Sequence, residues 1–89
     1  MLSEEALRAK TQRALIDLFY AELGLGLAFA QSALLAKTSG HLEDYVQAKQ
    51  RAVKAADAVW HFTGRVTDDV ARTEIGRKLG ELDGFISTL

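Results

Sequence analysis

The chain has 89 residues, of which 11 are basic and 12 acidic, so its net charge is −1. This balance argues against nonspecific nucleic-acid binding, which needs a positive surface. The absence of cysteine excludes disulfides and thiolate metal ligands and fits a cytoplasmic location. We therefore expect one small domain over residues 1–89, of a size that usually needs oligomerisation or another source of extra stability.

The composition predicts an all-α fold. Proline is absent, good helix formers dominate, and no alternating pattern typical of strands is present. We expect a three-helix antiparallel bundle with short connections and a long, central first helix. That helix should begin after Ser3, a favoured N-cap, and run to about Lys37 before a stop at Gly40. It is either continuous or broken at Gly24–Gly26, because glycine weakens a helix interior.

The segment 14–36 is the most informative stretch of the first helix. Its only polar residues are Asp17, Glu22, Gln31 and Ser32. A helix that is apolar around most of its circumference must be covered from several sides, and two neighbouring helices are too few. The segment therefore predicts a homodimer in which the first helices of two copies meet, since closed two-fold dimers are the commonest oligomers.

A membrane span is not expected from this segment. Asp17 and Glu22 would lie in or near hydrocarbon, which is costly. The shorter stretch 23–36 avoids both residues but has only 14 positions, too few to cross a bilayer.

The second helix is expected from Leu42 to Arg65. One of its faces carries small and apolar residues, namely Tyr45, Ala48, Ala52, Ala55, Ala56, Val59, Phe62 and Val66.

The third helix should begin with Thr67 as N-cap. It carries Ile75, Leu79, Leu82, Ile86 and Leu89 at alternating spacings of four and three, a short heptad seam. Beside that seam lie Gly76, Gly80 and Gly84, which predict a surface for close helix packing.

Glu22 is the candidate ligand-binding residue, with Tyr45 as a second. Its helical position lies among apolar side chains, where a carboxylate needs a partner or a raised pKa. Such groups are frequent at functional sites. The structural alternative is that Glu22 reaches the rim or pairs with one of Lys49, Arg77 and the Tyr45 hydroxyl.

No motif predicts a metal, a cofactor or a catalytic residue. Asp57 and His61 are four residues apart, but two ligands do not make a zinc site. The run Leu23–Leu27 contains two glycines within a helical pattern, so it does not predict a phosphate-binding loop. Whether the chain is an enzyme stays open, with a non-enzymatic protein favoured.

Two short segments resemble the helix and turn of a tetratricopeptide hairpin. They are Leu25–Phe29 and Ser39–Glu43, and no second copy of the pattern follows. The resemblance implies a helical binding surface.

The leading hypothesis is a non-enzymatic helical interaction and oligomerisation module. It would bind itself and, in a groove between helices, a partner helix. The alternative is a small-molecule-binding or catalytic bundle centred on a buried Glu22. The candidate interface residues are Phe19, Leu23, Leu27, Phe29, Trp60 and Phe85.

Overall fold

The chain folds into three helices. The computed structural model describes the backbone of residues 3–89 and the side chains of residues 3, 4 and 9–89. Helix α1 spans Glu4–Thr38, α2 spans Leu42–Phe62, a 3₁₀ turn covers Thr63–Arg65, and α3 spans Asp69–Ser87. No strand occurs among the residues described, and the all-α prediction is confirmed.

Helix α1 is continuous through both internal glycines and is 35 residues long. It ends one residue later than expected, at Thr38. Gly40 then adopts a φ of +79°, a left-handed conformation that favours glycine. The His41 N–H donates to the Ala36 carbonyl oxygen at 2.8 Å, which satisfies a carbonyl group of the last turn. The stop signal read from Gly40 is therefore confirmed.

The connection between α2 and α3 differs from the prediction at both ends. Helix α2 stops at Phe62 rather than Arg65. The N-cap of α3 is Asp68 rather than Thr67, because the Asp68 carboxylate accepts a hydrogen bond from the Ala71 N–H at 3.0 Å. The Thr67 N–H is instead held by the side chain of Gln12 at 3.0 Å. A tertiary contact with α1 thus shifts the cap by one residue.

All three helices contribute to one hydrophobic core. On the predicted apolar face of α2, Ala52, Ala55 and Ala56 are buried and Ala48 is half-buried, but Phe62 is 43% exposed. The early end of α2 explains this difference, since Phe62 is its last residue. The remaining core members are Phe19, Leu23, Ala30, Ala33, Val59, Val66, Ile75, Leu79, Leu82 and Leu89.

Helix α2 folds back along α1. Near one end the Gln12 side chain donates to the Arg65 carbonyl oxygen at 3.1 Å. Near the other end the Lys37 Nζ lies 5.9 Å from the centre of the Tyr45 ring. The molecule is elongated, with extents of 57 × 22 × 16 Å.

Candidate interaction surface

Helix α1 has an inner face that builds the core. This inner face consists of Phe19, Leu23, Gly26, Ala30 and Ala33, which recur at spacings of four and three. All five residues are buried against α2 and α3. Three of the five are glycine or alanine, and these small residues let the helices approach closely along this line.

A second apolar line runs along the outer side of the same helix. We define this outer face by residues that are all exposed, namely Leu18, Ala21, Leu25, Ala28, Ser32 and Leu35. They recur at spacings of three and four, the pattern by which helices pack against each other. At about 100° per residue the outer face lies roughly 150° around the helix from the inner face. Helix α1 thus has two faces rich in apolar residues, and α2 and α3 cover only one of them.

The three leucines of the outer face are strongly exposed. Leu18 is 54% exposed, Leu25 51% and Leu35 69%. A single exposed leucine is ordinary on a protein surface. A row of three along one helix, with two alanines and one small polar residue, Ser32, between them, is a largely apolar surface of the kind that marks interaction sites.

The predicted interface residues fall into three groups by exposure. Phe19 and Leu23 are 3% and 6% exposed and belong to the subunit's own core. Their side chains therefore pack within the protein and offer almost no surface to a second chain. Phe29 and Phe85 are half-buried. Leu27 and Trp60 are exposed, at 42% and 70%, and their interface role stays a prediction.

A groove of about 370 Å³ lies between α1 and α3. Leu23, Leu27 and Phe85 line this groove together, so the structure brings three of the predicted interface residues to one place. Tyr20 and Lys78 also line the groove, and the Nζ atom of Lys78 lies 5.6 Å from the centre of the Tyr20 ring. The groove is amphipathic, because Lys78 and Glu81 line it beside the apolar side chains.

Glu22 and Tyr45 do not share a site. Tyr45 lies beside Lys37, which follows Glu22 by 15 residues on one continuous helix, a separation of about 22 Å. The Tyr45 hydroxyl donates to the Leu89 carbonyl oxygen, and the Lys49 Nζ lies 3.4 Å from that hydroxyl. Tyr45 therefore holds Leu89 against the start of α2.

The partners expected for Glu22 are engaged elsewhere. Arg77 pairs with Glu74 and Glu81, and Lys49 with Tyr45. Glu22 itself is half-buried and makes no hydrogen bond or ion pair with the described part of the chain. It lies seven residues from Phe29, on the flank of α1 between the inner and outer faces.

Arg51 of α2 reaches the same flank. Its Cζ atom lies 5.6 Å from the centre of the Phe29 ring, a cation–π contact. Arg51 forms no ion pair with any residue that the structure describes. One flank of the outer face therefore carries an acidic and a basic side chain, and neither has an ion partner among the subunit's described residues.

The three glycines of α3 are exposed and do not pack against another helix of the subunit. No described atom lies within 4 Å of a Cβ placed on Gly76, Gly80 or Gly84. Close packing by this surface does not occur within the described part of the subunit, and it stays a prediction for contact with a second chain.

Metal ligands are not clustered in the described residues. Among them no group of three or more His, Asp and Glu side chains could hold a metal ion. Asp57 and His61 are both exposed on α2.

The prediction from the sequence that no segment could span a membrane is wrong. Residues Ala9–Thr38 of α1 are long and apolar enough to cross a bilayer, because an 18-residue window within them has a mean hydropathy of 1.4. Trimming the stretch to Leu23 is too severe: a segment beginning at Phe19 reaches Ala36 with Glu22 as its only charge. Core helices of soluble proteins and signal sequences pass the same test, and 28% of this window is buried by the subunit.

No protein-family model, curated protein or solved structure matches this chain. The likeness to a tetratricopeptide hairpin therefore has no support beyond the two segments that carry it.

Proposed function

We propose that the protein is a non-enzymatic helical interaction module that associates with itself through the outer face of α1. One observation carries the proposal: the outer face repeats the packing pattern of the inner face but is left exposed by the subunit's own helices. In this account the three helices are an antiparallel bundle, and a second copy completes it. A reducing, cytoplasmic setting is part of the proposal and fits the absence of cysteine.

The energetics favour self-association. A chain of 89 residues buries a modest share of its surface, so its folding free energy is small. Covering three half-exposed leucines would add stability, since burying a leucine side chain fully contributes about 1.5–3 kcal/mol. A homodimer obtains this contribution twice, once from each copy.

Substitutions on the outer face test the proposal. We expect the unmodified protein to be a dimer, and we expect Leu25→Arg to convert it to a monomer with unchanged helical circular dichroism. Val70→Arg is the matched control, because Val70 is 80% exposed and lies on α3. It should leave the dimer intact. The readout is the mass from light scattering coupled to size-exclusion chromatography.

Two results would contradict the proposal. One is a folded, unmodified protein that stays monomeric at micromolar concentration. The other is a protein recovered folded only in detergent or on lipid vesicles, because the exposed side of α1 would then face lipid rather than a second chain.

A further inference from the structure

We propose that two copies pair antiparallel along the outer face, about a two-fold axis that passes level with the Gly26–Leu27 bond. This register rests on the proposed self-association and specifies its geometry. Because the outer face runs from Leu18 to Leu35, the axis at its midpoint gives the longest overlap of the face with itself. Residues of the two copies whose numbers add to 53 then lie level.

The order of large and small side chains favours this direction. In the antiparallel pair, Leu25 meets the partner's Ala28, Ala21 meets the partner's Ser32, and Leu18 meets the partner's Leu35. Each of the four central layers then holds at most one leucine, and the two leucine pairs close the ends. The central layers therefore let the two helix axes lie close together, and leucine meets leucine only at the two ends of the contact.

A parallel pair would pack less evenly. Each residue would then meet its own counterpart, so a Leu25 pair would lie between the Ala21 and Ala28 pairs. The leucine layer requires a wide separation of the axes, and the alanine layers leave voids at that separation. The antiparallel direction is therefore favoured, because it avoids a leucine pair in the middle of the contact.

The charges on the flank favour the same register. In the antiparallel pair the two-fold axis is perpendicular to the helices, so the flank with Glu22 and Arg51 faces the same flank of the partner. Arg51 lies level with Phe29 in its own subunit, and hence level with residue 24 of the partner. The partner's Glu22 is then about 3 Å away along the helix axis, whereas in a parallel pair it is about 10 Å away along the axis and lies on the opposite side of the pair. The antiparallel dimer thus supplies each of these side chains with a partner of opposite charge.

Cysteine cross-linking tests the direction, and the chain has no native cysteine to interfere. Leu18→Cys and Leu35→Cys are made as separate variants at exposed positions. We expect a mixture of the two to form a disulfide-linked dimer on mild oxidation, and each variant alone to remain uncrosslinked. Level cysteines satisfy disulfide geometry, whereas the two introduced thiols of a Leu18→Cys homodimer would be about 26 Å apart along the axis.

The outcomes separate this inference from the proposed function. A dimer in which Leu18→Cys cross-links with itself is parallel, which overturns the register and leaves self-association intact. A dimer that yields no cross-link in any combination uses another surface and also overturns the register. A protein that sediments as a monomer before any substitution contradicts both.

Charge exchange provides a second, independent readout. Glu22→Arg and Arg51→Glu should each weaken the dimer by at least about tenfold in Kd, since each places like charges on the facing flanks. The double variant restores opposite charges and should recover most of that affinity. A double variant weaker than both single variants would contradict the contact between Glu22 and the partner's Arg51.

Discussion

The Cδ2 methyl of Leu82 lies 2.7 Å from the position that a Cβ atom on Gly26 would occupy. The Cβ of Ala55 lies 3.2 Å from the same position. These three residues come from α3, α1 and α2, so Gly26 marks the point where the three helices meet. The absent side chain of Gly26 leaves the space that the Leu82 side chain fills.

Adding a methyl group at this point should destabilise the fold. Gly24 is the matched control, because no described atom lies within 4 Å of a Cβ placed there. Gly24→Ala should raise the free energy of unfolding by about 0.5–1 kcal/mol through helix propensity. The free energy of unfolding of Gly26→Ala should be about 1–3 kcal/mol lower than that of Gly24→Ala, because the added methyl group overpacks the core. Urea denaturation measures both, and equal values would contradict the close approach.

The core should be sensitive to truncation at Ile75. This side chain is 0% exposed, whereas Val70 on the same helix is 80% exposed. Ile75→Ala should lower the free energy of unfolding by about 2–5 kcal/mol, since it removes buried methyl groups and leaves a cavity. Val70→Ala should change it by less than about 0.5 kcal/mol. If the two variants unfolded at the same denaturant concentration, the assignment of Ile75 to the core would be wrong.

The N-cap of α3 should contribute measurably to stability. Asp68→Ala removes the carboxylate that accepts from the Ala71 N–H and should cost about 1 kcal/mol. Asp83→Ala is the control on the same helix, because Asp83 is exposed and its carboxylate caps nothing in the described part. Thermal unfolding compares the two, and a smaller loss for Asp68→Ala than for Asp83→Ala would place the cap elsewhere.

The titration of Glu74 should depend on Arg77. The Arg77 guanidinium donates to both Glu74 carboxylate oxygens, at 3.1 and 2.7 Å. This hydrogen bonding, followed by the charge of Arg77, holds the pKa of Glu74 below its ordinary value. The lowered pKa stabilises the fold above the pKa of the unfolded chain, and this contribution is lost as the pH falls through the folded pKa.

Arg77→Gln should therefore raise the pKa of Glu74 toward that of an isolated glutamate. NMR titration of the carboxyl carbon measures this directly. Lys78→Gln is the control, because Lys78 acts on Glu74 only through a weaker charge interaction. An unchanged Glu74 pKa in Arg77→Gln would show that the pair does not persist in solution.

Local signals in the sequence predicted the helices well. The glycine at position 40 and the capping propensity near residue 68 depend on neighbouring residues alone, so their positions were correct to within one residue. The alanine face of α2 was also recognised, because its small residues recur at helical spacing on a helix with an otherwise polar surface.

The two faces of α1 could not be told apart from the sequence. Both carry apolar residues at spacings of three and four, so periodicity gave no preference for either. Phe19 and Leu23 are candidate interface residues in the sequence analysis, yet they belong to the core, on the side of α1 where Leu82 approaches Gly26. Which face is left open is decided by α2 and α3, which are distant in sequence.

Sedimentation equilibrium of the unmodified protein, in buffer without detergent at micromolar concentrations, tests most directly whether the uncovered side of α1 meets a second copy. The account predicts a mass of twice the 9.7 kDa of one chain. A folded species that holds the mass of one chain across the concentration range would contradict it.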